Sequence, residues 1–212
     1  MAVRPSYGVV MTTAQSRRVD YSESTRNALV DSAVALFTEH GYAATSLDAI
    51  ARRTRVTKGA LYHHFSGKQA LFEAAFDAVE SGVIARLGQV VAGPGDAWDR
   101  AMSALRGYVG ICLEPDYQRI VIHEGPVVMG WERWRAAEEH FSYGLVKAAL
   151  EALIAAGEIE ALPVEVTARV LFGALSTGAT IIATAEDPER AGAEVSLTIT
   201  RVLEGMRVTR LR

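Results

Sequence analysis

A single cysteine, Cys112, in 212 residues leaves no partner for an intramolecular disulfide and excludes a multi-cysteine zinc or iron–sulfur site. That scarcity points to a reducing cytoplasm. Long apolar runs are missing as well: no stretch approaches the roughly 18 uninterrupted apolar residues that cross a bilayer. The N-terminal MAVRPSYGVVMTTAQSRRVDYSEST lacks the continuous apolar segment of a signal peptide. Its small polar residues read as a disordered arm over residues 1–22, with Met11 as a second candidate start. There is no HExxH, no glycine-rich loop following a strand and no nucleophile elbow, so an all-α enzyme using His123 and Glu124, or His63 and His64, finds little support.

What is present is apolar periodicity at helical spacing, in a chain whose 50% hydrophobic content is enough to bury a core. Leu29, Ala33, Leu36 and Phe37 define a first helix over about Ser24 to His40, ended by Gly41. Thr45 with Asp48 has capping-box spacing and opens a short helix to about Arg53. Thr57 is the expected N-cap of a third short helix ending near His63. Ser66 and Gln69 repeat the capping spacing at the head of a long helix carrying Leu71, Phe72, Ala75, Phe76, Val79 and Val83. Gly93-Pro94-Gly95 marks a hinge. Beyond it, helices are expected over Asp96–Leu113, from Asp116 to a stop at Gly125-Pro126, as one unit from Trp131 to about Ala156, and over Pro163–Ala185 and Pro188–Met206. No strand and no internal repeat is evident. The expected class is all-α: a helix-turn-helix unit over residues 23–68 and a larger helical bundle over 69–212.

The overall charge of −3 argues against a polyanionic partner, but its distribution does not. Arg52, Arg53, Arg55, Lys58 and Lys68 lie in a stretch without one acidic residue, a local basic patch on an acidic body. Two short helices joined by a tight turn place the N-terminal end of the second in a DNA major groove. Thr57 and Lys58 stand at that end, and Tyr62 follows about one turn later.

At VTKGALYHHFSGKQALF, with its lead-in GYAATSLDAIARRTRV, the sequence resembles the tetracycline-repressor (TetR) family of bacterial transcription regulators, without gaps from about Arg26 to Phe76. The resemblance implies a DNA-binding repressor, acting as a homodimer on a double-stranded, palindromic operator and released by a small molecule, with no cofactor. It implies phosphate contacts from Thr45 or Ser46, Tyr62, His64 and Lys68, and positions near the bases for Thr57, Lys58, Gly59, Ala60 and His63. Adjacent histidines on a helix point about 100° apart, which suits phosphate contacts better than joint metal chelation. Ala60 offers only a methyl group, so base selection leans on its neighbours and on DNA shape.

For the C-terminal part the resemblance implies an effector pocket and a dimer interface. The small residues of FGALSTGATIIA and the apolar Val195, Leu197, Ile199, Val202 and Leu203 are the expected interface. Tyr108, Cys112, His123, Met129, Trp134 and Phe141 are candidate lining residues for an apolar or aromatic effector. A metal sensor built from Cys112, His123, Glu124 and His140 matches no standard ligand spacing. A helical small-molecule binder with an idle DNA reader is the other alternative, against which the intact basic run argues.

Overall fold

The computed structural model describes residues 13–208, which form α-helices throughout, with one isolated antiparallel bridge between Ile159 and Arg207. Helix α1 spans Thr13–Ala44, α2 Leu47–Thr54, α3 Lys58–His64 and α4 Lys68–Val91. They are followed by α5 (Ala97–Cys112), a π-helical segment Tyr117–Glu124, α6 (Gly125–Met129) and α7 (Trp131–Glu138). A second π-helical stretch, Glu139–Tyr143, leads into α8 (Gly144–Ala155), and α9 (Val164–Thr184) and α10 (Pro188–Gly205) close the chain.

Helix α1 starts well before Ser24 because nothing between Thr13 and Glu23 stops a helix from propagating backward: there is no proline or glycine. The expected arm is therefore helical from Thr13; the rest of it, Met11 included, lies outside the described residues. Gly41 breaks the helix as its sequence position suggests, at φ 79°. Helix α4 differs from expectation at its start. Gly67 stands at the N-cap and no side chain caps the helix, so Ser66 and Gln69 form no capping box.

The core of the N-terminal unit is aromatic. Phe37 meets Phe72 edge-on at 5.3 Å, and Tyr42 meets the same ring at 5.3 Å. Leu29, Ile50, Leu61, Leu71 and Phe76 are fully buried around them. Since Leu71, Phe72, Ala75 and Phe76 come from the first turns of α4 and Val83 and Leu87 from its later ones, this helix carries the core of the N-terminal unit directly into that of the larger bundle.

Gly125-Pro126 does not stop the chain as expected. Pro126 sits in the first turn of α6, and the helical path continues to Gly130, where φ of 82° ends it. In a π-helical turn the carbonyl of Val121 looks five residues ahead for its donor, and Pro126 has no N–H to offer. The Trp134 indole N–H donates to that carbonyl instead, at 2.8 Å. The unit expected from Trp131 to Ala156 is continuous in path but widened at Glu139–Tyr143. Helix α9 is long and apolar enough to cross a membrane by length and composition. It packs instead on α8 and α10 and carries Glu165 and Arg169.

Candidate functional site

The turn between α2 and α3 is built by local hydrogen bonds. Ser46, not Thr45, is the N-cap of α2, its hydroxyl accepting from the Ala49 N–H at 3.1 Å. Arg55 adopts the left-handed conformation, φ 60°, which turns its N–H and that of Val56 back onto α2 carbonyls. Thr57 then caps α3 as expected, accepting from the Ala60 N–H at 3.2 Å. Ile50, Ala51, Leu61 and Phe65 are buried and hold the two helices at their angle. Along α3 that burial leaves Lys58, Gly59, Tyr62 and His63 outward, with Ala60 and His64 half-buried at the flank. Arg52, Arg53 and Arg55 are exposed beside them.

Electrostatics favour an anion on this face. Lys58 is paired at 3.0 Å with Asp48 of α2, and that hydrogen bond raises its pKa; the pair is solvent-exposed and readily exchanged for a phosphate. Desolvation lowers the His64 pKa, and the neighbouring His63 and Arg26 lower it further. A neutral His64 still has one ring N–H to donate. The His63 and His64 rings stand edge to face at 5.4 Å, the divergence expected of helical neighbours.

Two of the residues expected at phosphates have their polar atoms engaged within the chain. Thr45 is 3% exposed, and its hydroxyl donates inward to the Leu36 and Gly41 carbonyls at 3.1 and 2.8 Å, tying down the end of α1. The Lys68 ammonium is likewise turned inward. It donates to the carbonyls of Tyr42 at 2.7 Å and Thr45 at 3.0 Å while lying 4.3 Å from the centre of the Tyr42 ring. Both residues brace the helix-turn-helix unit; neither offers its polar atom outward. Arg26, which sequence reasoning missed, lies over the Phe65 ring at 5.2 Å, close to the end of α3.

The larger bundle encloses a cavity of about 110 Å³ between α4, α5, α8, α9 and α10, lined by apolar side chains such as Ile84, Leu87, Leu150, Leu171 and Phe172. Of the six expected lining residues only Tyr108 reaches it. Cys112 is buried behind it, His123 donates to the Ala183 carbonyl at 3.1 Å, and Trp134 is spent on Val121. Met129 and Phe141 pack against the core elsewhere. Aromatic content misled here: the lining is mostly leucine, isoleucine, valine and alanine. The residues of the hypothetical metal sensor are also dispersed. Glu124 accepts the Tyr42 N–H and His140 meets Phe141 edge-on at 5.3 Å.

Comparison with known proteins agrees with the geometry of the reader. Residues 29–75 match the family described as "Bacterial regulatory proteins, tetR family", and residues 98–206 match "Tetracyclin repressor-like, C-terminal domain". The chain belongs to the TetR family. It is 30% identical to the transposon Tn10 TetC protein of Escherichia coli over 155 residues, 71% of this chain and 76% of that one. It is 40% identical over 48 residues to IcaR, the negative transcriptional regulator of the biofilm operon icaADBC in Staphylococcus aureus, 23% of this chain and 26% of that one. The crystal structure of a TetR-family regulator from Pectobacterium atrosepticum superposes with a TM-score of 0.81 at 28% identity, covering 95% of this chain and 100% of that chain. As a TetR-family member the protein is a DNA-binding transcriptional regulator.

Proposed function

We propose that the protein is a repressor that binds a palindromic operator as a homodimer in the cytoplasm and leaves it when a small molecule fills the interior cavity. The observation that carries the reading is the outward face of α3. Lys58, Gly59, Tyr62 and His63 lie together, exposed, at the end of a helix whose N–H groups are aimed outward. Nothing inside the chain requires glycine at position 59, since a Cβ there would meet only the Thr57 hydroxyl, at 3.9 Å. Its smallness serves close approach from outside. Tyr62, His64 and the Ser46 end of α2 take phosphates; Thr57, Lys58, Gly59, Ala60 and His63 stand nearest the bases.

Dimerisation falls to the outer faces of α9 and α10. Val166, Val170, Ile181, Leu197 and Val202 are exposed there, more apolar surface than a lone subunit needs. Gly178 is not part of that face. A Cβ on it would come within 2.7 Å of Val195 of the same chain, so this glycine serves α9–α10 packing within one subunit, as do the buried Ile199 and Leu203.

The signal has a physical route. Tyr108 lines the cavity and meets Tyr117, at the head of the π-helical segment, edge-on at 6.4 Å. Glu124, at the tail of that segment, holds the Tyr42 N–H at the end of α1. A ligand that repacks Tyr108 therefore moves a segment bonded to the reader. Release requires that the ligand bind the displaced arrangement more tightly than the DNA-bound one.

The test is fluorescence anisotropy with the DNA upstream of the protein's own coding sequence, alongside fragments from genomic site selection. Selective binding that weakens steeply with salt is the expected result. Tyr62→Ala and Lys58→Ala proteins that fold normally yet bind every selected fragment as tightly as the parent would refute the α3 reading.

A further inference from the structure

The cavity is apolar along its walls, and a buried acid lies just beyond the lining on α4. On α4 the residues Glu80, Ile84, Leu87 and Val91 follow one another on a single helical stripe; the last three line the cavity, and Glu80 stands one turn before them. Its side chain is fully buried and neither carboxyl oxygen has a hydrogen-bond partner. Glu138 of α7, 5% exposed, acts on it from across the core and is itself held by the Ser176 hydroxyl of α9 at 3.0 Å. Tyr108 and Ser142 belong both to the cavity wall and to the surroundings of this pair.

The remaining titratable neighbours are Tyr117 and Cys112, with Asp77 one turn earlier on α4. Among the described residues no lysine or arginine acts on Glu80, and Arg135 reaches only Glu138. A carboxyl buried without a partner costs stability that leucine at the same place would not. Two buried acids that act on each other, with Arg135 reaching only one of them, lack a group of definite chemistry.

We propose that the effector is an amphiphilic amine, its apolar body in the cavity between Ile84, Leu87, Leu150, Leu171 and Phe172 and its protonated amino group lodged between the carboxyls of Glu80 and Glu138. This deepens the reading of the cavity as the effector site and rests on it. An ammonium supplies both the positive charge that separates two like carboxylates and three N–H donors for their oxygens. A neutral hydroxyl supplies one donor and no charge. An anionic head would add a third negative charge to a site that already holds two acids.

The empty site keeps protons, because burial and mutual repulsion push Glu80 up to about 8 and burial pushes Glu138 up to about 7. Amine binding at neutral pH therefore expels protons to the buffer as the pair ionises. Glu80 lies on α4, the helix shared with the DNA-reading unit, so the head group acts directly on the element that must move.

The test is isothermal titration of the full-length protein at pH 7.5, in phosphate and in Tris, with 4-phenylbutylamine, 4-phenylbutan-1-ol and 4-phenylbutyrate. The amine is expected to bind at least about tenfold more tightly than the alcohol, and the acid more weakly than either. The amine's observed enthalpy should differ between the buffers by the ionisation heat of the released proton. Glu80→Gln should bring the amine down to the affinity of the alcohol and leave the alcohol unchanged, and Glu138→Gln, checked for folding by urea titration, should do the same. If the alcohol binds as tightly as the amine, or both variants retain the preference, the amine assignment is wrong while the effector cavity stands. If none of the three probes binds, the cavity reading falls with it.

Discussion

Both carboxylate oxygens of Glu124 accept the single backbone N–H of Tyr42, at 2.9 and 2.8 Å, across a separation of 82 residues. The acceptor belongs to the π-helical segment of the bundle and the donor to the last turn of α1, so this bond joins the two bodies. It explains the neighbouring glycine: a Cβ at Gly41 would come within 2.7 Å of the same carboxylate and 2.6 Å of the Arg119 guanidinium. Arg119 pairs with Glu124 at 3.3 Å and steadies it from the other side.

Glu124→Ala should uncouple the bodies while leaving each folded. The lost charge-assisted bond predicts a stability decrease of about 2 kcal/mol. Operator affinity should change little, whereas saturating ligand should release much less DNA than from the parent. Anisotropy with and without ligand checks this; full release by the variant would place the coupling elsewhere.

The buried acid pair makes stability depend on pH in an unusual direction. The Glu80 carboxyl is raised from 4.5 to about 8 by burial, with Glu138 and Asp77 adding repulsion. Native protein therefore holds a proton that the unfolded chain gives up, and stability falls as pH rises from about 4.5 to about 8. Glu80→Gln removes this slope. It should exceed the parent's stability at pH 8 by an amount on the order of 3 kcal/mol, a gap that closes toward pH 5. Glu138, raised to about 7 with Ser176 as partner, leaves a smaller residual slope. Urea titrations at several pH values decide it.

Gly125 has an ordinary helical backbone, φ −50° and ψ −55°, so alanine there would be free of backbone strain. A Cβ would nonetheless come within 2.7 Å of the Trp134 ring. Gly125→Ala should displace the indole from the Val121 carbonyl and cost about 2 kcal/mol. A urea midpoint equal to that of the parent would show that the indole has another way to lie.

Leu197→Glu combined with Val202→Glu places two charges on the exposed face of α10 without touching the core. Sedimentation should show a monomer, and operator affinity should fall by roughly a hundredfold as two-headed binding is lost. A persisting dimer would move the interface off this face.

Capping residues, breakers and apolar period placed most helices close to where they lie, because these are local effects: Thr57 capping α3, Gly41 ending α1 and Asp96 capping α5 need only their neighbours in the chain. The outward face of α3 follows from the same logic once Leu61 and Phe65 are assigned inward. Thr45 and Lys68 escaped it because their polar atoms are claimed by the Leu36 and Tyr42 carbonyls, partners that only packing brings near. The cavity was further out of reach. Its walls come from five helices, and aromatic residues that looked like lining turned out to be structural, Trp134 serving a carbonyl that Pro126 cannot. Nothing local distinguishes Glu80 from any other acid on an amphipathic helix; it is the packing of α4 against α5 and the π-helical segments that strips it of water and brings it under the influence of Glu138. Local hydrogen bonding is written in adjacent residues, whereas desolvation and long-range charge depend on which surfaces the folded chain brings together.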